Sequence, residues 1–484
     1  MQRFVMPRTL VATLAAAGVV AFSGAAMASG FSSARLGGLH GNTVSISPTS
    51  VYWNPGAIGK LEGNQLYIDG MIAVRNASYE RFDSADDRNV GKNTLTNLII
   101  SPAVAFTTDL GGSNVVLGAG FYAPFGGQAV WDRTKTAAPG ATDEFVNDGP
   151  QRWFAIDGVI RQLTGSLGAA VRTNDRQFSA GLMLNLNVFQ VDTIRARNGD
   201  GSDNIMNGST ITEGRSHLDV SSIDLGIGLG VHWNSLDERF AAGASWQSAS
   251  NLSGEQTLTG TLTNQFGPGT PSSSNVSVRQ ALPHTFRLGF AYRFVDQPVD
   301  EEQAPRVRGE LRLGAEMTTW NNFKSQCIVN DDALEGGEHI RNICDIDSNG
   351  LATPHPGIIQ NLVRNWKVGY GVKLSGSWYL NDRIELGAGI GFDSNSIPDN
   401  VLDPALMDMN KLAFDLGGNF QVAKFLAIMV QFTEVMYMTR DTRDVTDGFD
   451  TMIVDGSRIN VQPSSAGRFT QNIFITNLGL NFKF

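Results

Sequence analysis

Four basic residues, Arg161, Arg287, Arg312 and Lys373, stand in runs that alternate apolar with polar or small residues. Read as facing the polar side of those runs, each offers a carboxylate a charge-assisted hydrogen bond. A hydrocarbon would need none of them. The six histidines, His40, His217, His232, His284, His339 and His355, have no nucleophile motif such as Gly-x-Ser-x-Gly beside them, so no enzyme activity is expected. Cys327 and Cys344 share one polar segment, and in an oxidising compartment they would form a loop-closing disulfide worth about 3 kcal/mol of loop entropy. A two-cysteine metal site is the weaker alternative, because His339 and His355 lack zinc-finger spacing. No cofactor is implied.

The elements that would hold these residues are strands. In Trp366–Leu380, the residues Trp366, Val368, Tyr370, Val372, Leu374, Trp378 and Leu380 fall on one face, opposite Lys367, Gly369, Gly371, Lys373, Ser375 and Ser377. A period of two means a strand with unlike sides. Ile384–Phe392 repeats the pattern after the pair Asn381-Asp382, which reads as a tight hairpin. Arg308, Glu310, Arg312 and Glu316 share a face opposite Val307, Leu311, Leu313 and Met317. A charge facing lipid near the midplane would cost roughly 2–4 kcal/mol, so these side chains are expected to point inward. The chain ends on an alternating run in which Phe474, Leu478, Leu480, Phe482 and Phe484 share one face.

About fourteen strand candidates follow one another: Gln65–Phe82, Asn97–Leu110, Asn114–Trp131, Arg152–Arg172, Arg176–Arg197, His217–Asn234, Arg239–Leu252, Asn275–Val295, Arg306–Phe323, Trp366–Leu380, Arg383–Ser394, Lys411–Val422, Phe425–Arg440 and Phe469–Phe484. Connections alternate between short, such as Thr173-Asn174-Asp175 and Ala423-Lys424, and long, such as Asp132–Gln151 and Lys324–Asn365. The longer Asp296–Pro305 breaks the rule on the short rim. Short turns on one rim and long loops on the other fit an all-β, antiparallel transmembrane barrel. Near-neutral mean hydropathy accords with a wall whose alternate residues face a wet interior. The formal net charge of −10 argues against nucleic acid as a partner. At the start, Arg3 and Arg8 precede the apolar Thr9–Ala25 and the small-residue pattern Ala26-Met27-Ala28, which reads as a signal peptide cut after Ala28. No later segment approaches the ~20 continuous apolar residues of a membrane helix.

These residues resemble the FadL/TodX-type outer-membrane transporters of long-chain fatty acids and hydrophobic compounds. The resemblance is carried, in the family's order, by Ser29–Ser33 with Leu36-Gly37-Gly38, by Asn54-Pro55-Gly56-Ala57, and by Gly118–Gly127. It continues through Leu282-Pro283-His284 with Arg287-Leu288-Gly289, Thr319-Trp320 with Phe323, and Ser396-Ile397-Pro398-Asp399 with Pro404 and Asp408. Gly56 stands where the family usually has Ala, and His284 at a position often acidic or polar.

The resemblance implies a signal peptide over residues 1–28, a plug over 29–64 containing Asn54, Pro55, Gly56 and Ala57, and a fourteen-stranded barrel over 65–484. It implies a monomer in the outer membrane of a Gram-negative bacterium, in contact with outer-membrane lipid and lipopolysaccharide and inserted by the barrel assembly machinery through its terminal aromatic. A hydrophobic small molecule would diffuse through it and leave sideways at a kink in the third strand. Pro124 lacks a ladder donor, and Gly126-Gly127 relaxes backbone limits; the same residues would also suit a bulge near a rim. Phe121 and Phe125 would supply apolar surface, each step worth about 25 cal/mol per Å² buried. Long-chain fatty acids are the expected solute, with aromatic or alkane hydrocarbons second. A general porin or a structural or adhesive barrel remains the alternative from another class.

Overall fold

The computed structural model describes residues 36–84, 86–133, 148–267, 269–296, 306–334, 340–344, 355–445, 453–454, 457–458 and 462–484. The expected signal peptide and the Ser29–Ser33 motif lie outside them. Period-two alternation sets the wall. In Phe178–Arg197, Leu182, Leu184, Leu186 and Val188 are exposed, while Met183, Asn185, Asn187, Phe189 and Val191 are buried.

The described residues form a closed antiparallel barrel of fourteen strands. These are β1 (Asn64–Arg81), β2 (Gly91–Thr108), β3 (Val115–Gln128), β4 (Asp157–Arg172), β5 (Phe178–Arg197) and β6 (Gly214–Asn234). Four strands have two paired halves: β7 (Phe240–Gln247 and Glu255–Gln265), β8 (Ser272–Ala281 and Thr285–Asp296), β9 (Arg306–Thr318 and Ser325–Asn330) and β10 (Ile358–Val363 and Gly369–Asn381). The ring is completed by β11 (Ile384–Asp393), β12 (Lys411–Ala423), β13 (Leu426–Tyr437) and β14 (Arg468–Lys483). β14 pairs with β1 from Gln65↔Lys483 to Glu80↔Arg468, so the cylinder has no free edge there. Short turns mark one rim, taken as periplasmic, and both chain ends of the barrel meet on it through reciprocal Asn64–Phe484 backbone bonds.

The halves of β7 to β10 raise one side of the cylinder into a taller extension, and they correct the expected boundaries. The Glu255–Gln265 half lies in what the sequence presents as a polar loop. Asn275–Val295 is broken at Leu282–His284, where proline removes a donor. Within the expected Lys324–Asn365 loop, Ser325–Asn330 pairs with Ile358–Val363, and Cys327 is joined to Cys344 by a disulfide. Trp366 is not on the lipid face of a strand beginning there. The lower half of β10 starts at Gly369, and Trp366 is buried in the lumen, 4.9 Å from Trp320 and 4.8 Å from Phe323. Arg152 likewise precedes β4, in a 3-10 turn, where its fully buried guanidinium pairs with Glu213 at 2.9 Å.

Residues 36–63 pack inside the periplasmic part of the lumen as two single-turn helices, α1 (Ser50–Trp53) and α2 (Pro55–Ile58). Asn54 caps α2 by accepting from the Gly56 N–H, with Pro55 at the first helical position, where its missing N–H is harmless.

The orientation makes a stability prediction. Leu184→Arg, on the outer face of β5, is expected to cost about 2–4 kcal/mol in urea unfolding from lipid vesicles, and Leu236→Arg, at a periplasmic turn, about 0–1 kcal/mol. Equal penalties would show that the lipid belt does not cross β5 at this level.

Candidate functional site

Three zones stack along the lumen. Toward the long loops is an open-mouthed cavity. Its apolar lining includes Ile160, Val191, Leu218, Leu262, Leu362 and Met407, and its polar lining includes Arg75, Arg195, Arg364, Asp403 and the amides of Gln128, Gln326, Gln360 and Gln462. Three guanidiniums thus face one carboxylate. Arg364 takes Asp403, at 2.7 Å. Arg195 donates to the Gln360 amide oxygen, and Arg75 to Gln471 Oε1 at 2.7 and 3.0 Å and to the Gln128 carbonyl. Among the described residues neither Arg75 nor Arg195 has a carboxylate within ion-pair distance. A buried ion without a counterion costs on the order of several kcal/mol, so this zone is electrostatically suited to an anion.

Below it lies a smaller, mostly apolar space between Phe125, Ile160, Phe189, Leu282, Trp320 and Phe323. Phe125 meets Trp320 edge-on at 6.2 Å, which continues the aromatic cluster to Trp366. Ile160 and Leu406 line both spaces, so they are contiguous.

The third zone is the N-terminal segment, fixed to the wall at many points. Gly37 N donates to Asp69 Oδ2 at 2.9 Å, and Arg312 to the Leu39 carbonyl at 3.1 Å; His40 Nε2 lies 3.1 Å from Glu385. Arg287 donates to the Tyr52 hydroxyl at 2.8 Å, stacks over the Tyr52 and Trp53 rings, and pairs with Glu316 at 2.7 Å. Asn54 Nδ2 reaches the Val231 carbonyl of β6 at 2.9 Å. A Cβ on Gly230 would stand 2.0 Å from Asn54 Oδ1, and one on Gly56 would stand 2.7 Å from the Val231 Cα. The segment thus lies directly on the β6 backbone, which leaves no room for a side chain at Gly56. At the exit of this segment, burial pulls the Lys60 ammonium down to about 8, against the opposing attraction of Asp175.

The basic residues singled out in the sequence therefore separate. Arg287 and Arg312 hold the N-terminal segment. Lys373 faces the lumen in a 2.7 Å pair with Asp415. Arg161 is outside: it shares the parity of the exposed Leu167 and Val171, and bonds the cross-strand Gln190 at 2.7 Å. Its place near the long-loop end of β4 explains why an outward charge is tolerated there. None of these four lines the upper cavity. Arg75, Arg195 and Arg364 do. Strand parity is a signal for the first two, but nothing in their spacing shows that they converge.

The third strand is irregular around Pro124. β2 and β3 share rungs only from Val104↔Phe121 to Thr108↔Leu117. Against β4 the register slips between Tyr122 and Phe125, around Ala123-Pro124. Gly126 and Gly127 adopt no left-handed backbone, so proline and the bulge make the kink. The two chains meet again where Asn97 bonds both backbone groups of Val130, at 2.9 and 3.1 Å. Phe121 is exposed on the outer wall at the last shared rung, whereas Pro124, Phe125 and Gly126 are buried. Gly127 and Gln128 border the upper cavity directly behind this divergence.

A closed β-barrel with an apolar outer wall, an amphipathic lumen and its own N-terminal segment packed inside defines an outer-membrane-type β-barrel protein. The chain belongs to the family described as Outer membrane protein transport protein (OMPP1/FadL/TodX), whose model matches residues 13–484. Its place is therefore the outer membrane, and its family transports hydrophobic compounds. A search of the curated proteins finds no match by sequence. Among solved structures, a FadL homologue of Pseudomonas aeruginosa is similar with a TM-score of 0.68 at 14% identity, covering 94% of this chain and 100% of that one. The P. putida toluene transporter TodX gives 0.59 at 13%, covering 94% and 99%. The Ralstonia pickettii toluene transporter TbuX gives 0.55 at 11%, covering 91% and 95%. At these identities the likeness is one of fold.

The tight seat of α2 is testable in planar bilayers. Gly230→Ala and Gly56→Ala are expected to raise small-ion conductance severalfold while the barrel still folds, because the added methyl displaces the segment packed inside the lumen. Gly165→Ala, whose new Cβ would meet nothing within 4 Å, is expected to leave conductance at the wild-type level. Conductance unchanged in all three would mean that this segment does not seal the lumen.

Proposed function

We propose that this protein is a passive channel for acidic amphiphiles, long-chain fatty acids foremost. The observation that supports this most directly is the pairing of a cation-rich upper cavity with an aromatic floor. A carboxylate would replace the Gln360 amide on Arg195, while the alkyl chain enters the space between Phe125, Trp320 and Phe323. Each buried methylene contributes about 0.8 kcal/mol. The neck thus draws the tail inward, and the N-terminal segment, acting as a plug through Asn54, Pro55, Gly56 and Ala57, blocks the axial way out. The solute leaves sideways where β2 and β3 diverge, past Pro124, Gly126, Gly127 and the lipid-facing Phe121.

Several further assignments accompany this reading. Residues 1–28 act as a signal peptide, and the terminal Phe484 pattern is what the barrel assembly machinery takes up. Arg161 and Gln190, on the outer face near the upper rim, meet lipopolysaccharide rather than solute. The protein works as a monomer, without catalysis. Hydrocarbons are the second reading. The aromatic neck would accept them, and two of the similar folds are described as toluene transporters, but a hydrocarbon leaves the guanidiniums unanswered.

Cells in which this channel is the only one of its kind provide the test. Arg195→Gln is expected to weaken oleate binding about tenfold, equivalent to one charged hydrogen bond of roughly 1.4 kcal/mol, and to slow oleate uptake. Toluene uptake should be untouched. Unimpaired oleate uptake, or slowed toluene uptake with normal oleate uptake in cells lacking the protein, would overturn the choice of substrate.

A further inference from the structure

Arg75 is buried on the inner face of β1, and its hydrogen-bond partners tie two parts of the wall together. Its Nε and Nη2 share the side-chain oxygen of Gln471 on β14, while its Nη1 donates to the main-chain carbonyl of Gln128, the last residue of β3. That carbonyl belongs to the stretch where β3 has left the β2 ladder. In a bilayer such a group must find a donor or remain unsatisfied at a cost of several kcal/mol. Arg75 is the donor. Both of these partners are neutral, and Arg75 lines the same cavity as Arg195.

We infer that Arg75 is a second carboxylate-binding station, and that a head group arriving there displaces the Gln128 carbonyl and frees the end of β3. The inference rests on the acidic-amphiphile reading and adds to it the step that opens the wall. A guanidinium bonds a carboxylate about twice as strongly as a neutral oxygen, and Gln128 borders the open cavity, where water can take over the released carbonyl, so the exchange favours an acid over an alcohol or hydrocarbon. Once released, the Gln128 end is held to β2 through the Asn97–Val130 bonds and through Asp132, whose N–H donates to the Thr94 carbonyl and whose carbonyl and carboxylate accept from Asn93 and Thr94. The ligand's arrival and the exit are thereby coupled. Arg75 positions the head group beside the divergence and takes no part in initial capture, which belongs to Arg195.

The test is a distance measurement between spin labels on full-length protein in lipid nanodiscs. Ile100→Cys on the outer face of β2 and Val130→Cys just beyond β3 carry the labels; Cys327 and Cys344 are closed as a disulfide and do not react. Oleate is expected to shift the distribution to longer separations, and oleyl alcohol to leave it in place. Arg75→Gln is expected to show the longer separation without ligand and to lose the oleate response; Arg75→Lys should retain a preference for oleate over the alcohol. Oleate binding that depends on Arg195 with an unchanged label distance overturns the latch alone, and absence of oleate binding in the wild type overturns the acidic-amphiphile reading beneath it. If Arg75→Gln does not fold, the wild-type contrast between oleate and oleyl alcohol decides the matter.

Discussion

In hydrocarbon, no backbone N–H or C=O can turn to water, and every other feature of this barrel is subordinate to that constraint. It explains why β14 returns to β1 rung for rung from Gln65 to Glu80. It also gives meaning to a place where a ladder within the wall stops early. Above Val104 the strands β2 and β3 part, and their polar groups are met by side chains: Asn97 serves Val130 and Arg75 serves Gln128. A side-chain donor can be exchanged for another partner; a ladder rung, held by its neighbours, cannot. The weak part of the wall is therefore defined by who supplies the hydrogen bonds, more than by any missing atoms.

The second constraint is steric. Glycines in the wall let the N-terminal segment lie on the backbone itself, with Gly56 against Val231 and Gly230 under the Asn54 side chain. Such contact brings the polar backbone of α1 and α2 within reach of wall donors, and Ser179 Oγ and Ser245 Oγ bond the Gly56 and Trp53 carbonyls at 2.8 and 2.7 Å. The inward charges finish the attachment. Arg312, flanked by Glu310 and Glu385, gives one of its donors to the Leu39 carbonyl. Breaking one member of such a buried set leaves another charge uncompensated, so the segment is held as a unit.

What is legible in the sequence follows from these constraints. Alternation is imposed on every residue of a lipid-facing strand, so the wall from β11 to β14 can be read nearly to the residue, and the lipid-facing parity of Leu374 or Leu416 with it. Where the wall rises above the membrane as the extension of β7 to β10, the outer face no longer needs to be apolar, the alternation fades, and Glu255–Gln265 passes for loop. Trp366 misleads for the opposite reason: its parity continues that of Val372 and Leu374, but the strand starts only after it and the ring turns into the lumen. For the third strand, the family motif marks the stretch around Pro124 and Phe125 where the register does slip. The cation cluster is invisible in the sequence because Arg75, Arg195 and Arg364 come from strands β1, β5 and β10 or its edge, and only closure of the cylinder brings them to one cavity.

Transport sets a limit on how well any site may bind. A bare guanidinium in a dry cavity would hold a carboxylate too firmly for release. Here each cation is already solvated by protein: Arg195 by Gln360, Arg75 by Gln471 and the Gln128 carbonyl, Arg364 by Asp403 and Gln326. On the acidic-amphiphile reading proposed above, an arriving head group would gain only the difference between a charge-assisted and a neutral hydrogen bond, about 1 kcal/mol. That is enough to favour an acid over an alcohol and too little to trap it. The same moderation holds for the tail, since the neck between Phe125, Trp320 and Phe323 is small, and a long chain leaves part of its length in the wider cavity above. Affinity is thus divided into shallow steps of both kinds, and a downhill gradient is sufficient to carry a ligand through them.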